Sequence, residues 1–137
     1  VPTFNYKEEL RLTEYLQGDN TISREGINAL EGTLRRAIKE ASDVHVDELL
    51  PFATSALRES ANGEEIIATL NKDLNIDLQV LSGEDEAKLT FLAARRWFGW
   101  SSGRLLVVDI GGGSLEIAVG VNEAPEVAVS LPLGAGR

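Results

Sequence analysis

The sequence predicts an α/β protein in which helices alternate with short strands as far as Trp100 and a β-meander follows. Three observations predict this. Apolar residues recur at helical spacing in three stretches; short apolar runs separate those stretches; and two alternating segments follow a single glycine-rich turn. Residues 1–20 are mixed, with a short strand expected at Glu9–Leu12. Ile27, Leu30, Leu34, Ala37, Ile38 and Ala41 form one helical stripe, with Ser23 as its N-cap. Leu49–Thr54 reads as a buried strand. Asn62 with Glu65 has the spacing of a capping box ahead of a helix over Ile66, Ile67 and Leu70. Leu78–Leu81 is the next strand. Ser82 with Asp85 repeats the capping pattern, and Leu89, Leu92, Ala93 and Trp97 are expected on the packed side of the helix that follows. This alternation implies some parallel strand pairing.

The pattern changes at Gly103, so a domain boundary is expected near Trp100–Gly103. Leu105–Ile110, apolar except for Asp109, reads as a strand buried on both faces. After Gly111-Gly112-Gly113, Leu115, Ile117 and Val119 alternate with Ser114, Glu116 and Ala118, as in a half-buried strand. Val127, Val129 and Leu131 mark another.

Composition narrows the function. The chain has 137 residues, 43% hydrophobic and 26% charged, which excludes a disordered tail or a fibre. Thirteen Lys and Arg against 22 Asp and Glu leave a net charge of −9, which argues against nucleic acid or an anionic membrane as partner. The absence of Cys excludes disulfides and thiolate metal sites, and a single His, His45, makes no histidine-rich one. No apolar run approaches the roughly 18 residues of a membrane span and no signal peptide opens the chain, so the expected setting is the cytoplasm. There is no Met, so Val1 is not expected to be the natural start. Arg35-Arg36 and Arg95-Arg96 read as solvated helix faces, His45 as a solvated loop residue, and Trp97 and Trp100 as packing residues.

The most informative stretch is Val107–Glu116. A carboxylate, Asp109, ends a strand, three glycines make a turn, and a hydroxyl opens the next strand. Glycines reach backbone angles closed to other residues and leave no Cβ in the way. Their N–H groups can point into one concavity and bind phosphate oxygens. Asp109 could hold a divalent cation, and the hard oxygen ligands favour magnesium over zinc. Ser114 can donate to phosphate, and Glu116 projects from the same strand face. The pattern is neither a Walker A loop nor a dinucleotide fingerprint, since the glycines lead into a strand. A plain glycine hairpin is the alternative, and the flanking Asp, Ser and Glu tilt the balance to phosphate.

Two upstream segments add to this. Glu84, Asp85 and Glu86 crowd the first turn of a helix; acids there complement the helix dipole, and one of them could act as a general base. Ala53–Asn62 (ATSALRESAN) places small hydroxyl residues after a strand, where α/β sheets bind ligands, and Arg58 offers a planar fork suited to phosphate. A surface ion pair of Arg58 with Glu59 or Glu64 is the plainer alternative.

Ala53–Asn62, Ser82–Ala87 (SGEDEA) and Asp109–Glu116 occur in this order in the exopolyphosphatase/guanosine pentaphosphate phosphohydrolase (Ppx/GppA) family, and Leu131–Arg137 resembles the stretch that follows there. The resemblance covers essentially the whole chain. The glycine motif alone is shared in outline with actin-like ATPases and sugar kinases, whereas its combination with the other two is far more specific. Leu89–Gly103, with two Trp, resembles actinobacterial members. The resemblance implies an actin-like, ribonuclease-H-like α/β fold of two lobes with the active site between them, here truncated. Residues 1–102 would be the first lobe without its N-terminal strands, and 103–137 the first strands of the second. No Asp-x-Gly-type phosphate motif accompanies Val1–Phe4, so the chain is expected to be an internal, inactive fragment. A missing strand would leave an unpaired edge, hence an expected homodimer.

The resemblance also implies magnesium-dependent release of terminal phosphate from inorganic polyphosphate or pppGpp. Glu86 would be the general base, with Glu84 the second candidate. Asp109 and Glu116 would organise magnesium and water, with Glu116 sharing in catalysis. Gly111, Gly112, Gly113 and Ser114 would hold phosphate, and Arg58 the anionic chain. A non-catalytic sensor of polyphosphate or guanosine polyphosphate and an actin-like kinase or ATPase are the competing readings. Tight binding without turnover would favour the first of these, and phosphorylation of an acceptor the second.

Overall fold

The computed structural model describes residues 4–136. Val1–Thr3 and Arg137, which the resemblance touches at both ends, lie outside the described residues. The elements run α1 (Arg24–Asp43), β1 (Phe52–Ala53), α2 (Ser55–Arg58), α3 (Gly63–Leu74), β2 (Gln79–Val80), α4 (Gly83–Phe98), β3 (Leu105–Ile110), β4 (Leu115–Gly120) and β5 (Val127–Leu131). Short 3-10 turns lie at Leu12–Tyr15 and Trp100–Ser102. The chain forms two compact units, one of residues up to Phe52 plus Glu59–Gln79, the other of Ala53–Arg58 plus Val80 onward. The expected boundary at Trp100–Gly103 does not divide them. Helix α4 shares a unit with β3, β4 and β5 because its Ala87 and Phe91 pack on Ala118, Leu105, Val107 and Ala128 of that meander.

In the first unit, α1 starts as its sequence requires: the Ser23 hydroxyl accepts from the Gly26 N–H at 3.2 Å. Its core is Ile22, Leu30, Ile66, Leu70 and Leu78. The expected strand at Glu9–Leu12 is absent; Leu12 instead begins the 3-10 turn. Asn62 precedes α3 but caps nothing with its side chain. Its carboxamide bonds the backbone of Ile22 instead, accepting from N at 2.8 Å and donating to O at 3.0 Å. A long-range contact thus outcompetes the local one. Helix α3 ends on Asn75 in the left-handed conformation, φ 51°. The strand expected over Leu49–Thr54 contracts to β1, with Leu49 and Leu50 exposed. Ala53 O accepts from Leu81 N, and Pro51 O from Gln79 N, bonds that advance together along both strands as in a parallel pair.

In the second unit, the expected meander is present: β3, β4 and β5 are antiparallel neighbours in that order. The buried side is the surprise. Along β4 the buried residues are Glu116, Ala118 and Gly120, not Leu115, Ile117 and Val119. Strand β3 is not buried on both faces either: Leu106, Val108 and Ile110 are exposed. The physical reason is the seat of α4, which needs small residues beneath it. The Phe91 ring comes within 3.3 Å of where a Gly120 Cβ would stand. Three apolar rows cross the other face in register: Ile110–Leu115–Leu131, Val108–Ile117–Val129 and Leu106–Val119–Val127.

The packed face of α4 is likewise shifted from the expected one. Ala87, Phe91 and Arg95 are buried, whereas Leu89, Ala93 and Trp97 are exposed. Trp100 is exposed too, so neither Trp is a core residue; the Trp100 ring lies 5.9 Å from the Arg95 guanidinium carbon. Arg95, expected on a solvated face, is 1% exposed. Its guanidinium donates to Gly103 O (2.7 Å), Gly120 O (2.9 Å) and the Ser102 hydroxyl (3.0 Å), which fastens the end of α4 to the meander. Arg95→Ala would strand the buried Gly120 carbonyl, at about 1–3 kcal/mol, and release the other two contacts. Its denaturant midpoint is expected to drop far below that of Arg96→Ala, whose guanidinium makes only a surface pair with Glu123.

Candidate active site

Every expected site residue falls in the second unit. The centre is one row across the meander. Asp109 and Glu116 are direct partners in the β3–β4 ladder, and Glu116 and Ser130 are partners in β4–β5. The row faces α4, because alternate residues of β4 share a face and Ala118 packs on that helix. Glu116 is 2% exposed, and Ser130 Oγ donates to its Oε1 at 2.7 Å. Thr90 of α4 donates to Asp109 Oδ2 at 3.3 Å.

Two carboxylates directly opposite in an antiparallel pair repel. That arrangement, with hard oxygen donors, suits a magnesium ion, which commonly takes one or two carboxylates and fills its shell with water and substrate phosphate. Among the described residues no group of three or more His, Cys, Asp or Glu converges to hold a metal, so an all-protein cage is not what this site offers. Asp109 and Glu116 are the residues that would hold magnesium.

Glu86 projects from the first turn of α4, whose N-cap is Ser82: the hydroxyl accepts from Asp85 N–H at 3.1 Å. Asp85 returns the contact, its Oδ2 accepting from the Ser82 hydroxyl at 2.7 Å. Glu84 makes an exposed ion pair with Lys88 at 2.6 Å. That leaves Glu86 as the acid of this trio directed into the unit. Burial pushes the Glu86 carboxyl above the ordinary value of 4.5, the negative charges of Glu116 and Asp109 add to the rise, and Arg58 opposes it. Glu86 therefore lies within electrostatic reach of both carboxylates of the row.

Arg58 forms an ion pair with Glu86 of α4. It donates to Glu86 Oε2 at 3.0 Å and to Leu81 O at 2.9 Å, with both side chains of the ion pair about four-fifths buried. Part of its fork is thus committed to holding Glu86.

The glycine turn is built differently from the expectation. None of Gly111, Gly112 and Gly113 has φ in the left-handed region, so backbone freedom is not why they are glycines. Close approach is. A Cβ on Gly113 would lie 2.9 Å from the hydroxyl oxygen of buried Ser55 in the ATSALR segment. The Gly111 and Gly112 carbonyls accept from Ala135 and Gly136 N–H at 2.9 and 2.8 Å, and Gly134 sits against the turn so closely that its Cβ would be 2.4 Å from Gly113 C. Among the described residues, the N–H groups of Gly112, Gly113 and Ser114 are not used by the backbone network. Gly112 is the exception in packing: a Cβ there would meet nothing within 4 Å. Thr90 and Ser130 were not among the expected site residues, nor were Ser55, Gly83 and Gly134 singled out within their motifs. Alternation along β5 could have flagged Ser130, as a polar residue on the face opposite Val129 and Leu131.

The sequence model of the Ppx/GppA phosphatase family matches residues 2–137. This chain belongs to the Ppx/GppA phosphatase family. Exopolyphosphatase 1 of Mycobacterium tuberculosis is 48% identical over 137 residues, all of this chain and 40% of that protein. Exopolyphosphatase 1 of Mycobacterium leprae is similar to the same extent. The chain thus spans about 40% of the length of these curated relatives. Among solved structures, an exopolyphosphatase-like protein superposes with a TM-score of 0.84 at 27% identity, covering 95% of this chain and 42% of that one. An exopolyphosphatase from Cytophaga hutchinsonii gives 0.78 at 28% identity, covering 84% and 37%. The Ppx/GppA family member from Aquifex aeolicus gives 0.77 at 25% identity, covering 91% and 40%. The fold is that of this family, in the actin-like, ribonuclease-H-like α/β class. No helix of the described residues is long and apolar enough to cross a membrane.

Proposed function

We propose that the protein carrying this sequence is a phosphoanhydride hydrolase that releases terminal phosphate from inorganic polyphosphate with magnesium. The observation that carries the reading is the pairing of two like-charged carboxylates, Asp109 and Glu116, in register beside a glycine turn in which, among the described residues, the Gly112, Gly113 and Ser114 N–H groups make no backbone–backbone bond. Water attacks the terminal phosphorus, the bridging P–O bond breaks, and the chain leaves one phosphate shorter. Such a reaction depends on positioning and on neutralising the phosphate oxygens. Glu86 takes the proton from the attacking water, oriented by Arg58. The N–H groups of Gly112, Gly113 and Ser114 donate to the terminal phosphate. Magnesium, held by Asp109 and Glu116, would neutralise charge on the same oxygens. Arg58 keeps its expected role toward the anionic chain from its place beside Glu86.

The 5′-terminal phosphate of pppGpp is a second substrate for the same chemistry. Charge favours a short anion: the chain carries −9, and Arg35, Arg36 and Arg96 are each paired with a glutamate. The reading keeps a homodimer, which light scattering tests, and a cytoplasmic setting. The deciding experiment is phosphate release from polyphosphate and from pppGpp by the purified protein. Gly112→Ala sharpens it. Nothing in the fold occupies the space of that methyl, so stability is expected to hold, whereas a methyl forced against a bound oxyanion costs about 1–3 kcal/mol, or about tenfold or more in KM. Unchanged KM in a folded Gly112→Ala protein would remove the glycine turn from the site.

A further inference from the structure

We infer that Ser130 is a positioning residue for Glu116: its hydroxyl fixes which carboxylate oxygen the protein uses and leaves the other to the phosphate side of the site. The inference rests on the hydrolase reading above. Glu116 is a buried carboxylate, and among the described residues Ser130 is the side chain that donates to it, at 2.7 Å from the facing register position of β5. One neutral hydroxyl does not balance a buried charge. It can, however, select its orientation, as groups behind a metal-binding carboxylate commonly do.

The contact is also guarded from the helix side. A Cβ on Gly83 would stand 2.4 Å from Ser130 Cβ and 2.5 Å from its Oγ. A side chain at the first residue of α4 would therefore displace this serine, which glycine leaves in place. Glu86 lies three residues on in the same helix, so the place where α4 begins on β5 sets Glu86 against Glu116 as well. A serine on β5 that served only solubility would face away from α4, in the rows of Val129 and Leu131.

The test compares wild type, Ser130→Ala and Ser130→Thr in phosphate release from polyphosphate, with melting temperatures alongside. Ser130→Ala removes one oxygen and keeps Cβ, so its melting temperature is expected within a few degrees of wild type. Its kcat is expected to fall about tenfold or more, with KM for polyphosphate within about twofold. Ser130→Thr, which restores the hydroxyl, is expected to regain most of that kcat. Full kcat in Ser130→Ala overturns the inference, and so does a loss that merely follows a lowered melting temperature. A well-folded Ser130→Thr as slow as the alanine variant also overturns it. Absence of turnover in wild type instead overturns the hydrolase reading, and the inference with it.

Discussion

Glu86→Gln is expected to lower phosphate release by about 10²–10⁴-fold, the span of a lost general base, while the protein melts no lower than wild type at neutral pH. The second half follows from sign. Burial and the neighbouring Glu116 and Asp109 raise the Glu86 carboxyl above 4.5 in the metal-free fold. A native state that holds a proton more tightly than the unfolded chain loses stability as pH rises through the raised value. That contribution is fully present below 4.5 and gone above the native value. Glutamine stays neutral throughout and can still accept from Arg58. The variant's stability should therefore fall less than that of wild type as pH rises from 4.5 toward neutrality, measured by denaturation without magnesium. Near-normal turnover would take the proton-accepting role from Glu86, and a steeper decline in stability would contradict its electrostatic setting.

The second large effect is expected at Gly134, outside the glycine motif. An alanine methyl there would stand 2.4 Å from Gly113 C and 2.5 Å from Gly112 C and O. Backbone cannot yield as a flexible side chain can. The cost is about 1–3 kcal/mol of stability. More telling is displacement of the turn, since misplacing a binding group by about 1 Å can cost about 10²-fold in rate. Gly134→Ala should therefore lose far more activity than its melting temperature accounts for. Gly18→Ala, where a Cβ meets nothing within 4 Å and the chain lies in the other unit, is the control. Equal behaviour of the two would mean that the Leu133–Gly136 loop does not set the turn.

Local chemistry made much of this legible in the sequence. Ser23 and Ser82 announce α1 and α4 because capping is decided within four residues. Asp109, Gly111–Gly113, Ser114, Glu116 and Glu86 stood out because carboxylates and glycines at strand and helix ends are few. What stayed hidden depends on partners distant in sequence. Asn62 has the pattern of a cap, yet bonds Ile22, forty residues away. Arg95 sits among charges that suggest solvent, yet the carbonyls that bury it belong to Gly103 and Gly120. The larger apolar residues of β3, β4 and β5 suggest the core side, yet α4 requires the row of small ones. Ser130 gains a role only once register sets it opposite Glu116.

That register has a consequence for how the sequence can change. Glu116 and its flanking Leu115 and Ile117 point to opposite sides, so a one-residue slip of β4 against β3 and β5 would turn the carboxylate outward and an isoleucine or leucine toward α4. A two-residue slip preserves the parity. Odd shifts of register would therefore disable chemistry and packing in a single event, whereas a residue added in the turn can be taken up there without moving the strand.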